Sequence, residues 1–247
     1  MAIELEQNVA SLVEATDKLL WDSYGSATNE TKPPCRLIFP QTSKGAVRVS
    51  EQEAKQLLIG TLSDTQFSFS VETPTLRNYG FSGKGQRNAM TDLTLYSEGQ
   101  RCLNMEFKAG NTSTKRVERK HINKDIQKLV FEDVNAFWFH TLKSAKSASV
   151  NTLWQTIRHE LRAVVQKETV KFTAKLFTFH CCVLREAFSV QITFPVNECS
   201  CDNDWLTDLH APAFAVKKGR LTELHKAEGW IVRRSCSDVE AVKIEVR

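Results

Sequence analysis

Two carboxylates and an ammonium group, those of Asp92, Glu106 and Lys108, have the residue types and spacing of a small catalytic site. Glu106 and Lys108 are two residues apart, so in a β-strand their side chains point to the same side. Mg²⁺ is usually held by one or two carboxylates together with water and substrate phosphate. A metal held in this way polarises a phosphodiester and lowers the pKa of a bound water. The neighbouring ammonium can orient that water or neutralise charge that develops on phosphorus.

The three residues lie in a segment that is predicted to form a β-hairpin. Two β-rich runs, residues 92–96 and 101–108, flank a turn-like Ser-Glu-Gly-Gln sequence. Symmetric pairing would place Asp92 opposite Met105, and a one-residue bulge would place it opposite Glu106. Either register brings the two carboxylates to roughly 5–8 Å from each other. The alternative is an ordinary solvated strand face, and the Asp…Glu-x-Lys pattern alone would favour it.

Asp92 and the triplet Glu106-Phe107-Lys108 resemble the motif of the PD-(D/E)XK nuclease superfamily. In that superfamily the acidic residue of one strand and the Glu-x-Lys of the next form a metal site. Thr91 stands here in place of the usual proline, a difference that removes no ligand. The resemblance implies that Asp92, Glu106 and the Phe107 carbonyl hold Mg²⁺ or Mn²⁺. It also implies that Lys108 positions or activates water.

The resemblance further implies an α/β fold with a restriction-endonuclease-like core. That core has the order α-β-β-β-α-β, with a mixed central sheet flanked by helices. The hydrophobic patterns of this chain predict elements in the same order. The predicted elements are a helix at 51–62, a strand at 66–72, the hairpin, a helix at 117–133 and a strand at 135–142.

We expect one nuclease-like domain over residues 1–247, with the core at 50–145 between an N-terminal helix and loop (1–49) and a β-rich C-terminal extension (146–247). The extension either continues the nuclease sheet or forms a small appended module. Outside the core, helices are predicted at 2–22 and 150–168, and strands at 171–183, 188–194, 213–217, 230–234 and 239–246.

Further site residues are suggested by the two core helices and the first core strand. Some superfamily members carry Gln-x-x-x-Tyr on the helix after the Glu-x-Lys strand, and Gln127 with Phe131 stands at that spacing. Gln127 is therefore a candidate catalytic residue. Glu53 or Glu72 is a candidate third metal ligand. Glu53 has a competing interpretation as a helix cap, because Ser50-x-x-Glu53 has the pattern of a capping box.

Basic residues near the proposed site predict contacts with a nucleic-acid backbone. The formal net charge of the chain is only +4, but basic residues concentrate just after Glu106 and in the loop before Asp92, and a local positive field suits a polyanion. The candidate phosphate contacts are Lys84, Arg87, Lys115, Arg116, Lys120, Lys124 and Lys128. A solvated helix face and an exposed hairpin loop are the alternatives.

Composition excludes several other classes of protein. The chain of 247 residues is 41% apolar and 25% charged, which is ordinary for a globular domain. It has no apolar run long enough to cross a membrane and no basic secretory leader. Its seven cysteines lack zinc spacing and predict reduced thiols rather than a disulfide framework. A cytoplasmic protein without a membrane contact is expected.

Together these patterns predict a metal-dependent nuclease that acts on DNA, with RNA not excluded. The resemblance suggests a role in bacterial defence, and a homodimer or a partner protein such as an NTPase subunit is compatible with it. The alternative is a catalytically silent, nuclease-like subunit that binds nucleic acid or a protein within a larger complex.

Overall fold

The computed structural model describes residues 2–80, 87–110, 116–144, 149–167, 175–196, 213–217, 220–225 and 229–235. The helices within these ranges are α1 (Ala2–Asn29), α2 (Glu51–Thr61), α3 (Arg116–Val130) and α4 (Ser149–Lys167), and a 3-10 turn, Leu62–Asp64, extends α2. The strands are β1 (Ser68–Tyr79), β2 (Arg87–Ser97), β3 (Gln100–Ala109), β4 (Asn135–Leu142), β5 (Leu176–Val183), β6 (Phe188–Pro195), β7 (Ala213–Lys217), β8 (Arg220–His225) and β9 (Ile231–Arg234).

A seven-stranded mixed sheet organises the chain. Its strand order is β1-β2-β3-β4-β5-β6-β9, while β7 and β8 pair with each other. The β3–β4 and β4–β5 pairs are parallel, and the remaining neighbours in the sheet are antiparallel. The parallel pairs are joined through α3 and α4, as expected because parallel neighbours need a crossover connection.

Helices cover the central strands of the sheet on both faces. On one face α1 and α2 pack against alternate residues of the central strands, including Met105, Phe107 and Phe139. On the other face α3 and α4 pack against the intervening residues, such as Trp138 and Phe179. Burial on both faces explains why β4 is an almost unbroken apolar run rather than an alternating one.

The predicted order α-β-β-β-α-β is present over residues 51–142 as α2, β1, β2, β3, α3 and β4. The C-terminal strands extend the same sheet through β5, β6 and β9. β8 was not predicted, and the strand predicted at 239–246 lies outside the described residues, as do residues 81–86 of the loop predicted before Asp92.

The bounds predicted for the first two core strands were too short. β1 continues to Tyr79 although it contains Pro74. Proline is tolerated there because β1 is the edge strand, where a missing N–H breaks no ladder. β2 begins at Arg87, so Asp92 lies inside the strand and does not open it.

The far half of the β1–β2 hairpin, which contains the C-terminal end of β1, lies against the end of α3. The buried Glu132 carboxylate accepts hydrogen bonds from the N–H groups of Leu76 (2.7 Å) and Arg77 (3.1 Å) and from the Tyr79 hydroxyl (3.0 Å). In the same part of β1, the pairing with β2 shifts its register between Pro74 and Asn78. The contact fixes the hairpin that carries Asp92 against the helix that faces it.

No helix within the described ranges combines the length and the apolar character needed to cross a lipid bilayer.

A buried polar cluster ties α1 to the sheet. The Asp17 carboxylate lies 2.9 Å from His180 Nε2 on β5 and accepts a hydrogen bond of 2.5 Å from the Ser189 hydroxyl on β6. All three side chains are fully buried. Because a buried polar group without its partner is costly, this cluster fixes how α1 docks on the sheet.

Replacement of Asp17 by alanine is expected to destabilise the protein by about 3–5 kcal/mol, because it leaves buried partners unsatisfied. Urea unfolding at neutral pH measures the change. Asp22→Ala is the matched control, since Asp22 is exposed on the same helix and should change stability by less than ~0.5 kcal/mol. Equal stability of the two variants would show that the cluster does not hold α1.

Candidate active site

The β2–β3 hairpin brings the two predicted carboxylates together in the bulged register. Leu93 pairs with Met105, and an irregularity next to Tyr96 shifts the register by one residue. Continued by one residue, this pairing puts Asp92 opposite Glu106, as the bulged alternative predicted. Asp92 Oδ2 accepts a hydrogen bond of 2.8 Å from the Phe107 N–H.

Side-chain alternation along β3 sends Glu106 and Lys108 toward α3. Met105 and Phe107 are buried in the core beneath α1 and α2, so their neighbours point to the opposite face. On that face α3 presents the Asp125 carboxylate and the Lys128 ammonium group. The local fold follows from the alternation of β3 between residues 103 and 109, where odd positions are apolar and even positions are polar.

Four charged side chains from β3 and α3 form a closed ring of alternating sign, which we call the charge ring: Glu106, Lys128, Asp125 and Lys108. Lys128 Nζ lies 2.7 Å from Glu106 Oε1 and 2.9 Å from Asp125 Oδ1. Lys108 Nζ lies 2.9 Å from Asp125 Oδ2 and 3.6 Å from Glu106 Oε2. Each carboxylate therefore faces both ammonium groups.

Glu106 is the most deeply buried member of the charge ring, with its side chain 1% exposed. Neither of its carboxylate oxygens accepts a well-directed hydrogen bond from a described group. Burial, followed by repulsion from Asp125, raises the pKa of Glu106 to about 8, although Lys128 and Lys108 act in the opposite direction. The carboxyl group is thus held in surroundings that resist its negative charge unless a further cation is present.

The two ammonium groups remain charged at neutral pH. Burial alone would lower the pKa of Lys108, but Asp125, Glu106 and Asp92 outweigh it and raise the pKa. The pKa of Lys128 is raised in the same way, because Glu106 and Asp125 outweigh burial. Lys108 is therefore a hydrogen-bond donor and a positive charge in this site, rather than a base.

Glu51, which the sequence did not single out, is the α2 carboxylate that faces the site. It is half-buried, and its pKa is raised overall. Burial is the main cause and Asp92 adds to it, while Lys108 acts in the opposite direction. The first turn of a helix favours an acidic residue in any case. The only sequence signal for Glu51 was its position two residues before the candidate Glu53.

Glu53 forms the predicted capping box. Its Oε2 accepts hydrogen bonds from the Ser50 N–H (2.8 Å) and the Ser50 hydroxyl (2.6 Å), and the box is complete. Glu72, the other candidate third ligand, pairs with Lys55 at 3.2 Å. These contacts account for both carboxylates without a metal.

Gln127 lies on α3 beside the charge ring, and its side chain forms a hydrogen bond with a residue one turn earlier in the same helix. Its amide donates to Asn123 Oδ1 at 2.7 Å, and Asn123 in turn donates to Glu160 of α4 at 2.9 Å. Phe131, at the position of the superfamily's tyrosine, is buried in the core beneath α3 and α4.

His140 on β4 is a second residue that sequence reasoning missed. It pairs in register with Lys108, and its Nε2 lies 2.7 Å from the Gly110 carbonyl oxygen. Burial, reinforced by Lys108, lowers the pKa of His140 to about 4, so the ring is neutral. The Gly110 N–H also donates to the Thr141 carbonyl at 2.9 Å. His140 and β4 thus fix the end of β3 directly after Lys108.

The candidate phosphate contacts fall into three groups. Lys84 and Lys115 lie outside the described residues, and for Arg87, Arg116 and Lys120 only the backbone is described. Lys124 is half-buried on α3. Lys128 is directed into the charge ring, with its side chain 10% exposed, and was not predicted to contact Glu106.

The donor groups of the site fit a magnesium ion. Within the described ranges no cluster of three or more His, Cys, Asp or Glu residues forms a metal cage. Mg²⁺ does not require one, because it keeps several waters and often takes only one or two carboxylates. Once Glu106 is ionised, the site has three carboxylates, those of Asp92, Glu106 and Asp125, against the two ammonium groups of Lys108 and Lys128. This excess of negative charge, with a buried and poorly satisfied Glu106, suits a hard cation.

Comparison of the chain with protein-family models, with curated proteins and with solved structures gave no match.

The raised pKa of Glu106 predicts that the metal-free protein loses stability as pH rises. The folded state keeps the Glu106 proton up to about pH 8, whereas an unfolded glutamate loses it near pH ~4.3. Between these values the native state binds more protons, so its stability falls with increasing pH. In EDTA, the melting temperature of Glu106→Gln minus that of the wild type should increase from pH 5 to about pH 8. A difference that stays constant over this range would contradict the raised pKa.

Proposed function

We propose that the chain is a nuclease of the PD-(D/E)XK class. More particularly, we propose that it hydrolyses phosphodiester bonds in DNA with Mg²⁺ or Mn²⁺ at the site formed by β2, β3 and α3. The observation that carries the proposal is the convergence of Asp92, Glu106 and Lys108 on adjacent strands, at the positions of the superfamily's motif. The element order α-β-β-β-α-β around them supports the same class.

The proposed mechanism assigns a separate task to each side chain. Asp92 and Glu106 would hold the metal, which polarises the phosphodiester and lowers the pKa of a bound water. The Phe107 N–H fixes the Asp92 carboxylate through the 2.8 Å hydrogen bond. Because Lys108 stays protonated, it orients the attacking water and stabilises charge on the phosphoryl oxygens, and does not take up the proton of the water.

Asp125 positions Lys108 in this mechanism. The 2.9 Å contact between its Oδ2 and Lys108 Nζ is shorter than the 3.6 Å contact of that ammonium with Glu106. The ammonium is therefore held from α3 and leaves the Oε2 side of Glu106 less constrained. Pre-organisation of a donor before substrate arrives is a main source of rate enhancement.

A second candidate function is supported by the charge ring itself. Lys128 already compensates part of the Glu106 charge, as a catalytically silent nuclease-like subunit would require. Such a subunit would bind nucleic acid or a partner protein without cutting. The two candidates separate when the pure protein is incubated with plasmid, linear duplex and single-stranded DNA, in Mg²⁺, Mn²⁺ or EDTA.

Asp92→Asn, Glu106→Gln and Lys108→Ala are each expected to lower Mg²⁺-dependent DNA cleavage by at least ~10²-fold, the scale of losing one pre-organised electrostatic group. Initial rates on plasmid DNA measure the effect, with circular dichroism confirming that each variant folds. Glu98→Gln is the matched control, since Glu98 is an exposed carboxylate in the turn of the same hairpin. Full cleavage by a folded Glu106→Gln protein would overturn the assignment.

Glu51→Gln and Glu53→Gln are expected to behave differently, although the residues are two positions apart on one helix. Glu51→Gln removes a charge that faces Asp92 and Lys108, and should raise the Mg²⁺ concentration needed for half-maximal cleavage. Glu53→Gln preserves the cap hydrogen bonds, so it should leave that concentration unchanged and cost at most ~0.5 kcal/mol of stability. Rates measured across a Mg²⁺ titration decide between them. The reverse ranking would make Glu53 the residue of the site.

A further inference from the structure

The oxygens around Lys128 have the composition of a divalent cation site. Lys128 Nζ lies 2.7 Å from Glu106 Oε1 and 2.9 Å from Asp125 Oδ1, and it donates to the Met90 carbonyl oxygen at 2.8 Å. Two carboxylate oxygens and one backbone carbonyl are hard donors of the kind that bind Ca²⁺, Mg²⁺ or Mn²⁺. The contact with Met90 is a hydrogen bond, and the two contacts with carboxylate oxygens are ion pairs.

The groups that surround the Lys128 ammonium come from three different elements. Met90 belongs to β2, Glu106 to β3, and Asp125 and Lys128 to α3. Asp125 and Lys128 are three residues apart, so they lie on one face of the helix. Lys128 is fixed further by burial, with 10% of its side chain exposed. Leaving the ring would remove three charged or polar contacts from a buried site.

The other side of Glu106 is arranged differently. Its Oε2 faces Lys108 Nζ at 3.6 Å, beyond hydrogen-bond range. Asp92 raises the pKa of Lys108, and Lys108 and Asp92 both act on the pKa of Glu51. The buried carboxylate therefore has one oxygen closely paired with a fixed ammonium and one oxygen that is not.

We propose that Lys128 is a built-in counter-ion which fills the position of a second metal ion, so that the site takes up a single divalent cation. The inference rests on the proposed function, since it assigns the metal stoichiometry of that same site. Sites that bind two metals flank both the attacking and the leaving oxygen with cations. In this chain the second positive charge belongs to the protein and is present before any metal binds.

The test is a count of bound Mn²⁺, measured by the electron paramagnetic resonance signal of the free ion, and does not depend on activity. Wild-type protein should bind a single ion. Lys128→Met removes the ammonium while keeping an apolar stem of similar length, so this variant should bind a second ion between Glu106 and Asp125. Lys128→Arg keeps the charge and is the matched control, with a single ion. The double variant Lys128→Met, Asp125→Asn should also return to a single ion.

Thermal unfolding gives a second readout on the same proteins. Without metal, Lys128→Met should melt below the wild type, because Glu106 and Asp125 are left facing each other. Saturating Mn²⁺ should raise its melting temperature by more than it raises that of the wild type, since a second occupied site adds its own stabilisation.

The outcomes separate the two proposals. Wild-type protein that binds two ions, or a Lys128→Met variant that binds only one, overturns the role of Lys128 and leaves the nuclease assignment standing. Wild-type protein that binds no Mn²⁺ and cuts no DNA overturns the proposed function itself. If Lys128→Met does not fold, the wild-type and Lys128→Arg counts still decide, because two ions in either protein contradict the proposal.

Discussion

The burial of the Glu106 carboxylate is the constraint on which the arrangement of the site depends. A carboxylate removed from water resists ionisation unless positive charge is brought to it. The fold supplies that charge from β3 through Lys108 and from α3 through Lys128. Asp125 then separates the two ammonium groups and prevents direct repulsion between them. The geometry of β3 and α3 thus brings two cations to one buried carboxyl group.

Several contacts outside the charge ring hold these three elements in place. Glu132 binds the far half of the β1–β2 hairpin to the end of α3. The bulge in the β2–β3 pair sets the register that places Asp92 opposite Glu106. His140 and Thr141 hold Gly110 at the end of β3. The site is thus built on regular elements whose positions are fixed by polar contacts, as a pre-organised site requires.

The sequence predicted the elements well and the partners of the charges less well. The order α-β-β-β-α-β follows from local rules of periodicity, and the cap formed by Glu53 follows from the capping-box pattern. The pairing rules left Asp92 opposite either Met105 or Glu106. Lys128 was grouped with basic residues that contact phosphate, since a run of charges does not reveal which member turns inward. Which charges meet across β3 and α3 depends on the rotation of the helix over the sheet, which is a tertiary property. Glu51 was overlooked for the same reason.

Stability alone does not explain why the chain keeps four charges in this place. Taking charged groups out of water costs several kcal/mol per ion, and well-packed apolar residues can often replace a buried ion network without loss of stability. The surrounding sheet face and α3 are rich in apolar side chains that would pack in such a position. Charges retained in a largely buried site, with one carboxyl pKa raised to about 8, are typical of catalysis or ion binding. The charge ring is therefore better understood as a feature that the fold accommodates for function than as one that holds the fold together.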